Sequence, residues 1–210
     1  MWKWLTLLLL HVICYWGTAT FAWVYFEGPK KRYALHTSKA LWECTQLVLW
    51  NQLLWGPLST LLLLFYWGFM FPTTSYWWLP LQFTINAIIG DALFYTLHRA
   101  LHHSWVYPYI HERHHQYSIP IGCATFFAHP LEHMLANVFP GIIGPLLTQC
   151  CFEGWCLWIG LITSTTVLAH SGILKDKRHD LHHLYRRVNY GNGFYLLDRL
   201  FGTHFRSFKQ

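Results

Sequence analysis

From Trp4 to Phe26 the chain carries no formal charge. That length meets the roughly 20 residues an α-helix needs to cross the hydrocarbon core of a bilayer. In lipid, every backbone N–H and C=O must be satisfied within the protein, so such a run is expected as helix. Trp4, Trp23 and Tyr25 lie near its ends, where amphipathic aromatics collect at membrane interfaces. A cleaved secretory leader is the alternative, because Lys3 precedes the run and Gly17 to Ala19 supplies small residues. The apolar stretch outlasts the ~7–15 residues of a leader's core, and a retained anchor is expected.

Composition agrees with a membrane class. Hydrophobic residues make up 54% of the chain and charged residues only 11%, against about a quarter charged in soluble domains. The net charge of +6 could suit nucleic acid, but the basic residues are scattered among aromatic and histidine-rich stretches, so no nucleic-acid partner is expected. Lys30, Lys31, Arg32 and Lys39 place the loop after the first helix in the cytosol by the positive-inside rule. Leu41 to Phe71 then reads as an outward crossing, interrupted by Asn51, Gln52 and Gly56-Pro57, where the missing proline N–H predicts a kink. Phe71 to Ser75 reads as a turn, and Tyr76 to Leu97 brings the chain back. A membrane hairpin is expected at about 134–169, and the basic tail containing Arg178, Arg186, Arg187 and Arg199 returns to the starting side. No repeat or low-complexity linker divides the chain. The expected architecture is an all-α integral membrane protein with about four transmembrane helices. One domain is predicted, comprising N-terminal membrane helices over 1–97 and a histidine-rich region over 98–210.

Parity of the crossings brings three histidine clusters to one side. They are His98 and His102, then His111, His114 and His115, then His179, His182 and His183. Residues three and four apart share a helix face, so each cluster can aim its imidazoles at one point. Histidine is a mediocre helix former and costly to bury unpaired, and the H-x-x-H-H spacing occurs twice. Metal binding explains this better than structural hydrogen bonding, since neutral imidazole is the commonest metal ligand. These histidines exceed the coordination of one ion, so two metals are expected. An imidazole-rich, carboxylate-poor set admits zinc, copper or iron. The six cysteines include no C-x-x-C pair and read as apolar thiols in or beside membrane helices.

The ordered series His98-Arg-Ala-Leu-His102-His103, His111-Glu-Arg-His114-His115, His129-Pro-Leu-Glu132-His133, His170-Ser-Gly172, His179-Asp180-Leu-His182-His183, Asn189-Tyr-Gly191 and Asp198-Arg-Leu-Phe-Gly202-Thr203 resembles the fatty acid hydroxylase/sterol desaturase superfamily. The resemblance spans roughly residues 90 to 204. Its closest motif match is the sterol C4-methyl oxidase and sterol desaturase branch. It implies a membrane-embedded di-iron enzyme that activates O2 to hydroxylate or desaturate a sterol or fatty-acyl C–H bond. Electrons would come from NAD(P)H through cytochrome b5 or a reductase, at the endoplasmic reticulum, with the histidines in a helical cap facing the cytosol. Carried over by motif, the implied ligands are His98, His102, His111, His114, His115, His170, His179, His182 and His183, with His129 as the tenth and His133 as its rival. His103 lies about 100° around a helix from His102 and is expected at the interface instead.

Three acids are candidates to support these ligands. Asp91 lies two helical turns before His98 in an apolar helix, a position that marks function and could bond a ligand imidazole or pair with Asn86. Glu132 and Asp180 are similar candidates. A histidine-rich metal transporter is the rival from another class, but would place ionisable ligands within its spans. A non-catalytic lipid- or metal-binding relative is the other, and the intact clusters argue against it.

Overall fold

Three helices widen into π turns immediately before a proline. The first helix, α1 (Trp2–Ala22), opens into Trp23–Glu27, just before Gly28-Pro29. The next, α2 (Ser38–Trp50), opens into Asn51–Trp55, just before Gly56-Pro57. A third π turn, His133–Val138, precedes Phe139-Pro140 and leads into α4 (Phe139–Leu147). In each case the N–H just before the proline closes the wide turn, as in Gly56 N to Asn51 O. A proline offers no N–H and its ring crowds the carbonyl four residues back, and widening the preceding turn accommodates both. Near the kink expected at Gly56-Pro57 the described residues show this π turn, which carries Asn51 and Gln52; both are buried.

The computed structural model describes residues 2–28, 37–58, 60–61, 71–73, 75–174 and 177–205. Lys30, Lys31, Arg32, residues 62–70 of the second expected crossing, and the last tail residues lie outside them. The other principal helices are α3 (Leu79–Leu101), α5 (Phe152–Ser171), α6 (Arg178–Tyr185) and α7 (Leu196–Leu200). No strand occurs among the described residues.

Two pairings organise the helices. Helices α1 and α5 run parallel, with Trp2 against Phe152 at one end, His11 bonded to Thr163, and Thr18 to Ser164. Helices α3 and α4 run antiparallel, with Gln82 Nε2 donating to the Thr148 carbonyl at 2.7 Å. Gly144 makes that approach feasible, because a Cβ there would stand 2.7 Å from the Asn86 Cα. One core gathers Tyr15, Val48, Ile121, Phe126 and Val167, the other Leu7, Ile142, Leu146 and Trp155.

Among the described residues, two helices are long and apolar enough to cross a membrane, Trp2–Glu27 and Phe152–Ser171. Only 22% and 28% of their apolar windows are buried, whereas the core helix of a soluble protein would be mostly covered. Leu5, Leu9 and Ile13 on α1 and Leu157 and Leu161 on α5 face outward, as lipid contact requires. Both helices run in the same direction, and His170 ends α5. All six cysteines are free, and Cys44, Cys150 and Cys151 are buried.

Candidate metal centre

The histidines converge as two adjoining groups. His98, His102, His111, His115 and His182 form one, and His114, His170, His179 and His183 the other, with the ligand atoms in each within 4.8 Å of one another. The imidazole centroids of His115 and His183, from opposite groups, are 4.7 Å apart. The end of α3 supplies His98 and the following turn His102; the turns after Ile110 supply His111, His114 and His115; α5 and α6 supply the rest. Adjacent His182 and His183 on α6 enter different groups.

Proton placement shows why these groups suit a cation. His98 Nδ1 faces the Tyr190 carbonyl at 2.8 Å, His182 Nδ1 that of Val188 at 2.7 Å, His183 Nδ1 that of Tyr117 at 2.9 Å, and His170 Nδ1 that of Thr166 at 2.9 Å. A carbonyl only accepts, so each Nδ1 carries the proton and donates it, leaving Nε2 with a bare lone pair. Those Nε2 atoms point at other imidazoles. His98 lies 3.0 Å from His111, His102 3.2 Å from His182, and His179 2.9 Å from His170. His102, His111 and His115 form a triangle of Nε2 atoms with sides of 3.0, 3.0 and 3.2 Å. Neutral imidazoles have one proton each, and four of these rings have committed theirs outward. Converging lone pairs of this kind fit an ion at the centre of each group.

Burial reinforces the neutral state. It pushes His114 down to about 4, and pushes His98 down to about 3 and His102 to about 2 with the neighbouring imidazoles adding to the effect. His111, His115, His179, His182 and His183 are lowered well below the usual histidine range for the same reasons. Near neutral pH these imidazoles are therefore unprotonated, the form that binds metal.

The supporting acids behave differently from one another. Glu132 Oε1 lies 2.8 Å from His111 Nδ1, and burial raises its carboxyl well above the ordinary range. Asp91 accepts instead from the backbone N–H groups of Asn192, Tyr195 and Leu196 at 3.3, 3.4 and 3.2 Å. It holds the loop whose Tyr190 carbonyl receives the His98 proton, so it acts one step behind the imidazole rather than on it. Asp180 lies 3.9 Å from Lys177.

His129 is in neither group. It caps the start of the turn Pro130–Glu132, its Nδ1 accepting from the Leu131 N–H at 3.2 Å. His133 is also outside both groups, buried against Phe126. The exposed His103 stands apart as expected. Sequence reasoning missed the carbonyls of Tyr117, Thr166, Val188 and Tyr190, because a backbone acceptor has no residue signature. The N-Y-G and D-R-x-F-G-T elements entered the sequence reading only through the resemblance, with no role of their own. In fact Asp198 accepts from the N–H groups of Tyr190 and Gly191 at 2.8 and 2.7 Å and from the Thr203 hydroxyl at 2.7 Å. Asn189 binds the Arg178 and Phe205 carbonyls. These motifs hold the acceptors of His98 and His182 in place.

A cavity of about 810 Å³ lies between α1, α3, α4 and α5. Phe94, Ala136, Asn137, Thr166 and His179 line both this cavity and a small space of about 10 Å³ bounded by His98, His111, His114 and His170. The apolar cavity therefore reaches the histidine groups.

Residues 83–203 match the model of the fatty acid hydroxylase family. The chain belongs to that family. It is similar to fatty acid hydroxylase domain-containing protein 2 of Homo sapiens, at 34% identity over 152 residues, covering 64% of this chain and 45% of that protein. It is likewise similar to fatty acid hydroxylase ahd1 of Mycosarcoma maydis, at 39% over 134 residues, covering 61% and 34%. With methylsterol monooxygenase 2-2 of Arabidopsis thaliana it shares 36% identity over 149 residues, covering 63% and 56%. The matched regions thus span about a third to just over half of these relatives' lengths. No solved structure matches. The sterol-type motifs read from the sequence agree with the methylsterol monooxygenase matches.

Proposed function

We propose that this chain is a membrane-bound, di-iron, O2-dependent oxidoreductase that hydroxylates or desaturates a C–H bond of a sterol or fatty-acyl lipid. The observation that carries the reading is the pair of imidazole-only groups at the end of an apolar cavity. His98, His102, His111, His115 and His182 would hold one ion, and His114, His170, His179 and His183 the other. His129 would then keep its capping role rather than serve as the tenth ligand. Iron bound there supplies the redox chemistry that activates O2 toward an unactivated C–H bond.

The chain's own part is positioning and exclusion. Backbone carbonyls keep the ligand protons on Nδ1, Glu132 orients His111, and Phe94 and Ala136 form an apolar passage between lipid and centre. An external electron pair is required, and NAD(P)H acting through cytochrome b5 or a linked reductase would supply it. Exposed Arg99, Arg113, Arg186 and Arg187 around the histidine end suit an acidic donor protein. That basic end would face the cytosol, with the protein in the endoplasmic reticulum serving sterol or other lipid biosynthesis.

The test loads purified full-length chain with ferrous iron anaerobically, then admits O2 and reductant with lipid. One iron per histidine group and O2-dependent lipid product are expected. His182→Ala and His114→Ala should each abolish product while membrane insertion persists. Failure to retain iron, or turnover surviving in those variants, overturns the proposal.

A further inference from the structure

One wall of the apolar cavity is polar. His11 from α1, Gln52 from the π turn after α2, and His133 opening the π turn before α4 all line it. Their hydrogen bonds have a fixed direction. Trp16 Nε1 can only donate, and it does so to Gln52 Oε1 at 3.0 Å. Gln52 Nε2 is therefore the donor toward His11 Nε2 at 3.4 Å. An imidazole accepting at Nε2 carries its proton on Nδ1, which lies 3.0 Å from the Thr163 hydroxyl. Both nitrogens of His11 are thus engaged.

His133 is different. It is 2% exposed, and its Nδ1 is buried with no hydrogen-bond partner. Its ring meets Phe126 edge-on at 5.0 Å, and Phe126 in turn stacks on His11 at 5.6 Å. It belongs to neither metal group. Leaving a buried polar group unpaired costs about 1–3 kcal/mol; the other ring nitrogen, Nε2, stands beside Gly56, where a Cβ would lie 3.4 Å from it, and Gly56 also lines the cavity, so Nε2 is the atom a ligand's hydroxyl or carbonyl could reach. The described lining includes no lysine or arginine, and its one acid, Asp91, is occupied by three backbone N–H groups. A phosphate or carboxylate entering there would meet no cation, whereas a hydroxyl or carbonyl needs only a hydrogen bond.

We propose that His133, with the Gln52–His11 chain beside it, is the specificity-determining subsite for the uncharged hydroxyl or carbonyl of a neutral lipid whose hydrocarbon body fills the cavity. This rests on reading the cavity as the substrate's. It narrows the substrate to a lipid that brings its polar group wholly inside the protein and excludes one that keeps a charged head at the membrane surface. A cavity of about 810 Å³ falls within the roughly 300–1,000 Å³ of small-molecule sites.

The test measures equilibrium binding to the iron-free full chain in detergent, using 5α-cholestan-3β-ol against 5α-cholestane, 1-octadecanol against octadecane, and stearate. In at least one pair the hydroxyl lipid should bind about tenfold tighter than its hydrocarbon, the worth of one net hydrogen bond, and stearate should show no such gain. His133→Phe should erase the gap and His133→Asn should restore part of it. As a check that needs no variant, 1-octadecanol carrying a diazirine at carbon 2 should label peptides containing Gln52 or His133. Hydroxyl lipids binding no tighter than hydrocarbons, a gap that persists in His133→Phe, or labelling confined elsewhere would each overturn the proposal. Because iron is absent, the hydroxyl preference survives if the oxygenase reading fails. Turnover without that preference sinks this inference alone.

Discussion

At the scale of single residues, the centre depends on which nitrogen of each imidazole holds the proton. Glu132 bonds an imidazole of the larger histidine group, through His111 Nδ1 at 2.8 Å. Loss of such a partner typically costs about 10–100-fold in metal affinity. Glu132→Ala should fall in that range, while Glu132→Gln, which keeps an oxygen able to accept from Nδ1–H, should retain most of it. A competitive chelator titration reads this directly; equal losses in both variants would assign Glu132 a role through charge rather than orientation. The same proton accounting gives a pH dependence. His114 is held at about 4 and His98 at about 3, against about 6.5 for a free histidine. Below about 6.5 the unfolded chain takes up protons that the folded centre refuses, so stability present above that pH is lost as pH falls toward those lower values. Thermal unfolding of metal-free protein in detergent should shift steadily downward between about pH 6.5 and 4. A flat profile across that window would contradict neutral burial.

At the scale of elements, the centre is held from behind by a C-terminal loop clamped by two aspartates. Gly191 sits between them: a Cβ there would stand 2.8 Å from Asp198 Oδ2 and 3.2 Å from Asp91 Oδ1. Gly191→Ala must therefore push the loop away from both carboxylates, and Asp198→Ala removes three acceptor contacts. Each should destabilise the fold by about 1–3 kcal/mol and weaken metal retention, because the Tyr190 carbonyl no longer fixes the His98 proton. Unfolding and metal titrations on one preparation check the link; lost stability with metal affinity intact would break it. That the three clusters converge was legible in their spacing, but the expectation that each aims at one point was not met: His114 parts from His111 and His115, and His182 from His179 and His183. The motif did not show that His129 stands outside both groups and caps the turn that follows, since a histidine before proline suits either role. The π turns before Pro57 and before Pro140 were not anticipated, because hydrophobic periodicity does not report where a helix widens. The role of Asp91 was half legible. Its burial was foreseeable, but its backbone partners lie about a hundred residues onward and only the tertiary fold brings them there.

At the scale of the whole molecule, parallel α1 and α5 and antiparallel α3 and α4 surround a cavity whose inner end opens on both histidine groups. The partition into five and four imidazoles makes the groups unequal, and α6 tests this with neighbouring residues. His182 belongs to the larger group and His183 to the smaller. Removing His182 leaves four imidazoles around its ion, a complete set for tetrahedral binding. Removing His183 leaves three, so its ion must recruit water or be lost. Metal titration should therefore show two phases, with His183→Ala abolishing or strongly weakening one and His182→Ala weakening the other by less. On the proposed reading activity should fall in both variants, in His183→Ala through loss of one ion and in His182→Ala through the altered ligand set of a retained one, so retention and turnover separate in His182→Ala alone. Identical single-phase losses in the two variants would mean that the histidines hold their metals as one undivided cluster.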